Sequence, residues 1–149
     1  MFSTLLRDRE GDLWLGAFDA GYHISFCPEE LSGHSLPFIK ETLGFDTNIN
    51  CMYEDEGGVL WFNQERNGIG LYAPDSGTYN LHPYSQKRNV EVNLIARSRF
   101  PNTVWIASAF VPTVFRAQRQ GMDIRFTDTL LLAHDGAETG HVTGMLEDP

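Results

Sequence analysis

The stretch Asp55-Glu-Gly-Gly-Val-Leu-Trp61-Phe62 decides the fold, because it stands a second time in the chain as Asp8-Arg-Glu-Gly-Asp-Leu-Trp14-Leu15. A third tryptophan, in Asn102-Thr-Val-Trp105-Ile106, keeps the flanking apolar residues but has Arg99 and Asn102 where the others have Asp and Gly. Near the end, Met145-Leu-Glu-Asp148 repeats Met52-Tyr-Glu-Asp55. The phrase therefore returns with a period in the forties, the spacing of an array of similar supersecondary units.

Aligned on its tryptophan, each unit reads the same way. An alternating apolar segment comes first (Ser3–Asp8, Asn48–Asp55, Val90–Ser98), then a Gly- or Asn-containing turn, then the tryptophan strand (Leu13–Phe18, Val59–Gln64, Thr103–Ala109). A third strand is predicted at Gly21–Phe26, Gly68–Ala73 and Thr113–Ala117. A fourth is predicted at Tyr79–Tyr84 and Asp123–Thr127, and more faintly at Ser35–Lys40. Period-two alternation broken by Gly, Pro, Asn and Asp is the signature of strands, and no long helical period competes with it. The chain is expected to be all-β. Four antiparallel strands per unit of this length make one blade of a β-propeller. The expected architecture is thus a partial propeller of three four-stranded blades, 1–45, 46–88 and 89–140, with the start of a further blade at 141–149.

The repeated residues have structural work in such a blade. Gly11 and Gly58 fall where a tight turn needs positive φ. Asp8 and Asp55 can accept hydrogen bonds from the turn amides. Trp14, Trp61 and Trp105 can fill the space between adjacent blades. Without its Asp, the third turn is expected to be weaker. An arc of blades leaves an apolar sheet face at each end, so the isolated chain is expected to self-associate.

Composition limits the function. The 149 residues suffice for a real core, with 42% hydrophobic and 12% aromatic residues. A formal charge of −9 argues against binding nucleic acid, which needs clustered Lys and Arg. No apolar run approaches the roughly 20 residues that span a bilayer. Met1–Arg7 lacks the basic flank and apolar length of a secretory signal, which in a longer array would lie upstream. Cys27 and Cys51 match no metal or redox spacing; a disulfide or two half-buried thiols in separate strands both fit, the second more plainly.

Catalytic chemistry finds little footing. The recurring Asp and Trp residues belong to the architecture. The phrase also departs from the Asp-box of sialidase-type propellers, since the Asp stands one residue too far from Gly and no Ser precedes it. Glycoside hydrolysis needs two facing carboxylates, and the sequence nominates no pair among 20 acidic residues. His23, His34, His82, His134 and His141 show no metal spacing. Gly68-Ile-Gly70 reads as a turn, and Asp135–Gly140 as a solvated connection rather than a cation loop. No nucleophile motif occurs. No catalytic residue, metal or cofactor is expected. Ligand contacts would fall to non-repeating aromatics, with Tyr22, Phe45, Tyr84, Phe100 and Phe110 as candidates beside the plainer role of packing.

The phrases Asp8 to Gly16 with Gly21-Tyr-His-Ile, and Asn48 to Phe62 with Gly68-Ile-Gly70-Leu-Tyr72, resemble the two-component regulator propeller repeat. Val142-Thr-Gly-Met145-Leu-Glu-Asp148 resembles the opening of another such unit. The resemblance implies a structural repeat motif at Asp8, Gly11, Trp14, Asp55, Gly58, Trp61, Trp105 and Asp148. It further implies the periplasmic sensor region of a membrane-anchored hybrid histidine kinase, of the kind gut Bacteroidetes use to sense oligosaccharides. No kinase pattern lies in this chain, so the segment itself is expected not to be an enzyme. A structural or protein-interaction propeller without a small ligand is the second reading, and a propeller hydrolase or lyase the third.

Overall fold

The structure, a computed structural model, describes residues 2–17, 21–26, 31–35, 48–64, 67–83, 91–108, 113–132 and 142–148, with the backbone alone for 2, 21, 23–26 and 31–35. The described residues form twelve strands. The first sheet holds β1 (Phe2–Arg7), β2 (Leu13–Ala17), β3 (Gly21–Phe26) and β4 (Leu31–Ser35). The second holds β5 (Met52–Glu54), β6 (Leu60–Gln64), β7 (Gly68–Ala73) and β8 (Thr78–Pro83). The third holds β9 (Val92–Arg97), β10 (Thr103–Ser108), β11 (Thr113–Gln120) and β12 (Asp123–Leu131). Each sheet is antiparallel with its strands in chain order, which is the up-and-down order of a blade.

The expected all-β arc of three four-stranded blades is what the strands build. Their limits differ in places. The last strand of the first blade is Leu31–Ser35, ahead of the faint signal at Ser35–Lys40. Asp123–Leu131 runs four residues beyond Thr127, and β5 keeps only Met52–Glu54 of the segment 48–55. The shortening has a cause: Asn63 Oδ1 accepts from the amides of Asn50 and Cys51 at 2.7 and 2.9 Å, so a side chain replaces ladder partners there.

Two apolar layers join the three sheets. One packs Trp14 of the first blade against Ile49, Leu60 and Phe62 of the second, with Tyr72 edge-on to the indole at 5.7 Å between ring centroids. The other packs Trp61, Ile69 and Leu71 against Val92, Ile95, Val104, Ile106 and Ala117 of the third blade. Every residue of β6 is consequently buried, Leu60 and Phe62 toward the first blade and Trp61 toward the third. A strand covered on both faces shows no polar alternation, and the run Leu-Trp-Phe is its outcome. Farther out, Asn80 Nδ2 and His82 Nε2 both donate to the Met122 carbonyl at 2.9 Å, tying β8 to the turn before β12. On the last blade β12 is mostly exposed, including Phe126, Leu130 and Leu131.

Candidate functional site

The turn after each blade's first strand is where the repeated residues converge. In the first blade, Asp8 Oδ1 accepts from the amides of Glu10 and Asp12 at 3.0 and 2.8 Å, while Oδ2 accepts from Trp14 Nε1 at 2.8 Å. In the second, Asp55 Oδ1 accepts from Gly57 and Val59 at 2.9 and 3.2 Å, and Oδ2 from Trp61 Nε1 at 2.9 Å. One carboxylate thus folds the turn with one oxygen and orients the inter-blade indole with the other. Gly11 and Gly58 hold φ of 99° and 76°, a region other residues occupy at a cost.

The third blade builds the same device from different parts. Its turn is one residue longer: the Ser98 amide bonds the Thr103 carbonyl at 3.2 Å, and Asn102 takes the left-handed position with φ of 51°. The counterpart of Asp8 and Asp55 is therefore Ser98, not Arg99. The Ser98 hydroxyl faces the Phe100 amide at 3.4 Å. The indole acceptor comes from outside the blade. Glu147 Oε2 accepts from Trp105 Nε1 at 2.9 Å, Ser98 Oγ at 2.7 Å and the Arg99 amide at 2.9 Å. The expected weaker turn is instead a turn completed by the segment 142–148. Asp148 is exposed, and its neighbour Glu147 makes the contacts.

Four donors act on that one carboxylate. The Ser98 hydroxyl, the Arg99 amide and the Trp105 indole, with the Arg99 guanidinium 3.3 Å from Oε1, hold the Glu147 carboxyl down from an ordinary 4.5 to about 2. A lowered carboxylate stabilises its docked state fully above the ordinary value, and that stabilisation is lost as pH falls through the lowered one. Segment 142–148 is therefore expected to stay docked at pH 5 and to detach toward pH 2, followed by the Trp105 indole N–H resonance. Glu147→Gln should detach it at neutral pH.

The middle turn is held from both sides. Arg119, at the end of β11, places Nε 2.6 Å from Asp55 Oδ2 and Nη2 3.2 Å from Oδ1, with its side chain 12% and that of Asp55 2% exposed. It also reaches Asn102 Oδ1 at 3.1 Å. From the first blade, Arg9 Nε bonds Glu54 at 2.8 Å, and its Nη2 approaches the Asp55 carbonyl at 3.4 Å. Gly57 permits this: a Cβ there would fall on Arg119 Nη2. Burial pushes the Asp55 carboxyl up, but Arg119, the Trp61 indole and the Val59 amide outweigh it and leave it below its ordinary value. Arg119 escaped the sequence reading because it has no counterpart in the other blades. Glu147 too lies outside the expected motif residues, which include Asp148; its alignment with Glu54 in the repeated Met-x-Glu-Asp is the signal that points to it.

Beside Trp105 lies an open groove of about 440 Å³, walled by Val114, Leu130 and Leu132 on the sheet and Val142, Met145 and Leu146 on the last segment. Trp105 is half-buried, whereas Trp14 and Trp61 are 2% and 0% exposed. The Arg116 guanidinium lies 5.6 Å over the Trp105 ring and 5.0 Å over Phe100. At the other two seams the indole packs against residues of the next blade, Trp14 with Leu60 and Phe62 and Trp61 with Ile95 and Val104.

The aromatic candidates do not assemble into a site. Tyr22 is half-buried on β3 of the first blade, and Phe100 sits in the β9–β10 turn at the opposite end of the third. Phe45, Tyr84 and Phe110 lie outside the described residues, as do Cys27, His134, His141 and Asp135–Gly140. Cys51 is a free thiol that burial pushes up to about 12, against the pull of Asn63, so it is a packing residue. Among the described residues, no group of three or more His, Cys, Asp or Glu could hold a metal ion. No helix among them is long and apolar enough to cross a membrane.

Fold and seams together define a sector of a β-propeller. The chain is similar to two solved structures of the extracellular domain of BT4673 from B. thetaiotaomicron, described in one as a one-component and in the other as a hybrid two-component system. Both give a TM-score of 0.66 and 20% identity over 86% of this chain. The chain spans 16% of the length of each of those structures. At this identity the likeness is one of fold. No protein-family model matches the sequence, and no curated protein matches it.

Proposed function

We propose that the chain is a sector of an extracytoplasmic ligand-sensing propeller belonging to a membrane-anchored two-component sensor. The observation that carries this is the third seam. Glu147, in a repeat of the Met-x-Glu-Asp phrase, docks on Trp105, Ser98 and Arg99, which supports reading the working unit as larger than these three sheets. The likeness in fold to an extracellular domain of a two-component system supports the place of that unit. Oligosaccharides are the ligand class we favour, on the resemblance of the repeat to sensor propellers. A ligand would act by binding one arrangement of blades better than another and shifting the population passed to the membrane.

The segment binds rather than reacts. Asp8, Asp55 and Glu147 are each engaged by an indole and by turn donors, leaving them as structural acceptors instead of proton-transfer groups. Calorimetry of the complete sensor region against a glycan panel tests the reading. Saturable binding of one oligosaccharide class supports it. Silence across the panel, with capture of a protein ligand instead, would favour a protein-interaction propeller.

A further inference from the structure

Every seam carries a charge pair at the same two positions. The residue after the turn residue of one blade meets the residue before the turn of the next: Arg9 with Glu54, Glu56 with Arg97, and Arg99 with Glu147. The charges are opposite each time, and in the middle seam their signs are exchanged. Apolar positions repeat in step. Met52, Leu60 and Phe62 of the second blade pack toward the first, as Ile95, Val104 and Ile106 of the third pack toward the second.

In the first blade the same positions hold Leu5, Leu13 and Leu15, with Arg7 before the turn. Among the described residues they meet nothing comparable. Leu5 is 62% exposed where Ile95 at the same position is 6% exposed, and Leu13 and Leu15 are only half-buried where Leu60 and Phe62 are each 2% exposed. Arg7 is exposed and lies along its own turn beside Gly11, walling a shallow hollow with Glu10, Gly11 and Leu13.

We propose that this face of the first blade is a docking surface for a further blade of the same repeat, one with Glu or Asp directly after its turn carboxylate. Leu5, Leu13 and Leu15 supply the apolar contact, and Arg7 selects the charge. Asp55-Glu56 is the pattern of the partner. A second copy of this chain does not meet the requirement: its last blade offers Arg99 at that position, which carries the same charge as Arg7 and is already engaged by Glu147. The proposal rests on reading the chain as a propeller sector.

The test extends the 149-residue chain by placing a duplicate of residues 48–91 in front of Phe2, which keeps the register in which residue 91 leads into Val92. Amide exchange in β1 and β2, read by mass spectrometry, should slow by at least about tenfold against the unextended chain. Glu56→Lys in the duplicate should remove about two- to five-fold of that gain, the range of an exposed ion pair, and adding Arg7→Glu should restore it. Slowing that is indifferent to both charge changes overturns the proposal and leaves the sector reading standing. No slowing in any version overturns both. Protection of the same amides by dimerisation of the unextended chain identifies a second copy as the occupant and overturns the proposal alone.

Discussion

Replacing Arg119 with methionine is expected to destabilise the chain by about 3 kcal/mol at neutral pH, read from the urea midpoint. Methionine keeps most of the apolar stem, so packing changes little. What is lost is the partner of a carboxylate that is almost completely buried. Asp55 retains the Trp61 indole and two turn amides, which is why the cost falls at the lower end of the range for breaking a buried pair. The pH dependence identifies the cause. In the native chain Asp55 titrates below its ordinary value, and its contribution is present above that value and lost as pH falls. Without Arg119, burial is opposed by fewer partners and the same group titrates higher than in the native chain, so the variant loses less on protonation. The gap between the two proteins should therefore narrow as pH drops below about 4, whereas a pure packing loss would not change.

The tryptophans should rank by how completely their seams are closed. Trp61→Ala is expected to cost about 3–5 kcal/mol, since the ring is wholly buried between two blades and its loss leaves both a cavity and a buried Asp55 oxygen one donor short. Trp14→Ala should approach that value, because Leu60, Phe62 and Tyr72 cover its ring. Trp105→Ala should cost about 1–2 kcal/mol, from a half-buried side chain and its contact with Arg116. Equal costs for all three would mean that the third seam is as closed as the others.

The repeat was legible because tryptophan at a fixed interval, preceded by Asp and Gly, leaves few alternatives. That one phrase located the turns, the second strands and the number of blades. Strand limits were less legible where side chains replace backbone partners, as Asn63 does ahead of β5. The third turn misled for a different reason. Lining up Trp105 with Trp61 by counting residues puts Arg99 at the Asp position, while the inserted residue shifts that role to Ser98. Nothing local announces that the missing carboxylate is supplied 42 residues downstream. Repeats also advertise what all blades share and conceal what one blade adds. Arg119 has no echo in the chain, yet it makes the most buried ion pair described. The same logic explains why the candidate ligand residues are scattered: Tyr22 and Phe100 are unrepeated, and nothing in a repeat brings unrepeated residues together.

A carboxylate and an indole close each seam, and Glu147 of segment 142–148 closes the third. Hydrogen exchange of the three indole Nε1–H groups in the 149-residue chain, followed by NMR, tests it most directly. Exchange should be slowest at Trp61, then at Trp14, and faster at Trp105 yet still protected, with Glu147→Gln removing protection at Trp105 alone. An indole at Trp105 that exchanges as freely as one in water would contradict the account.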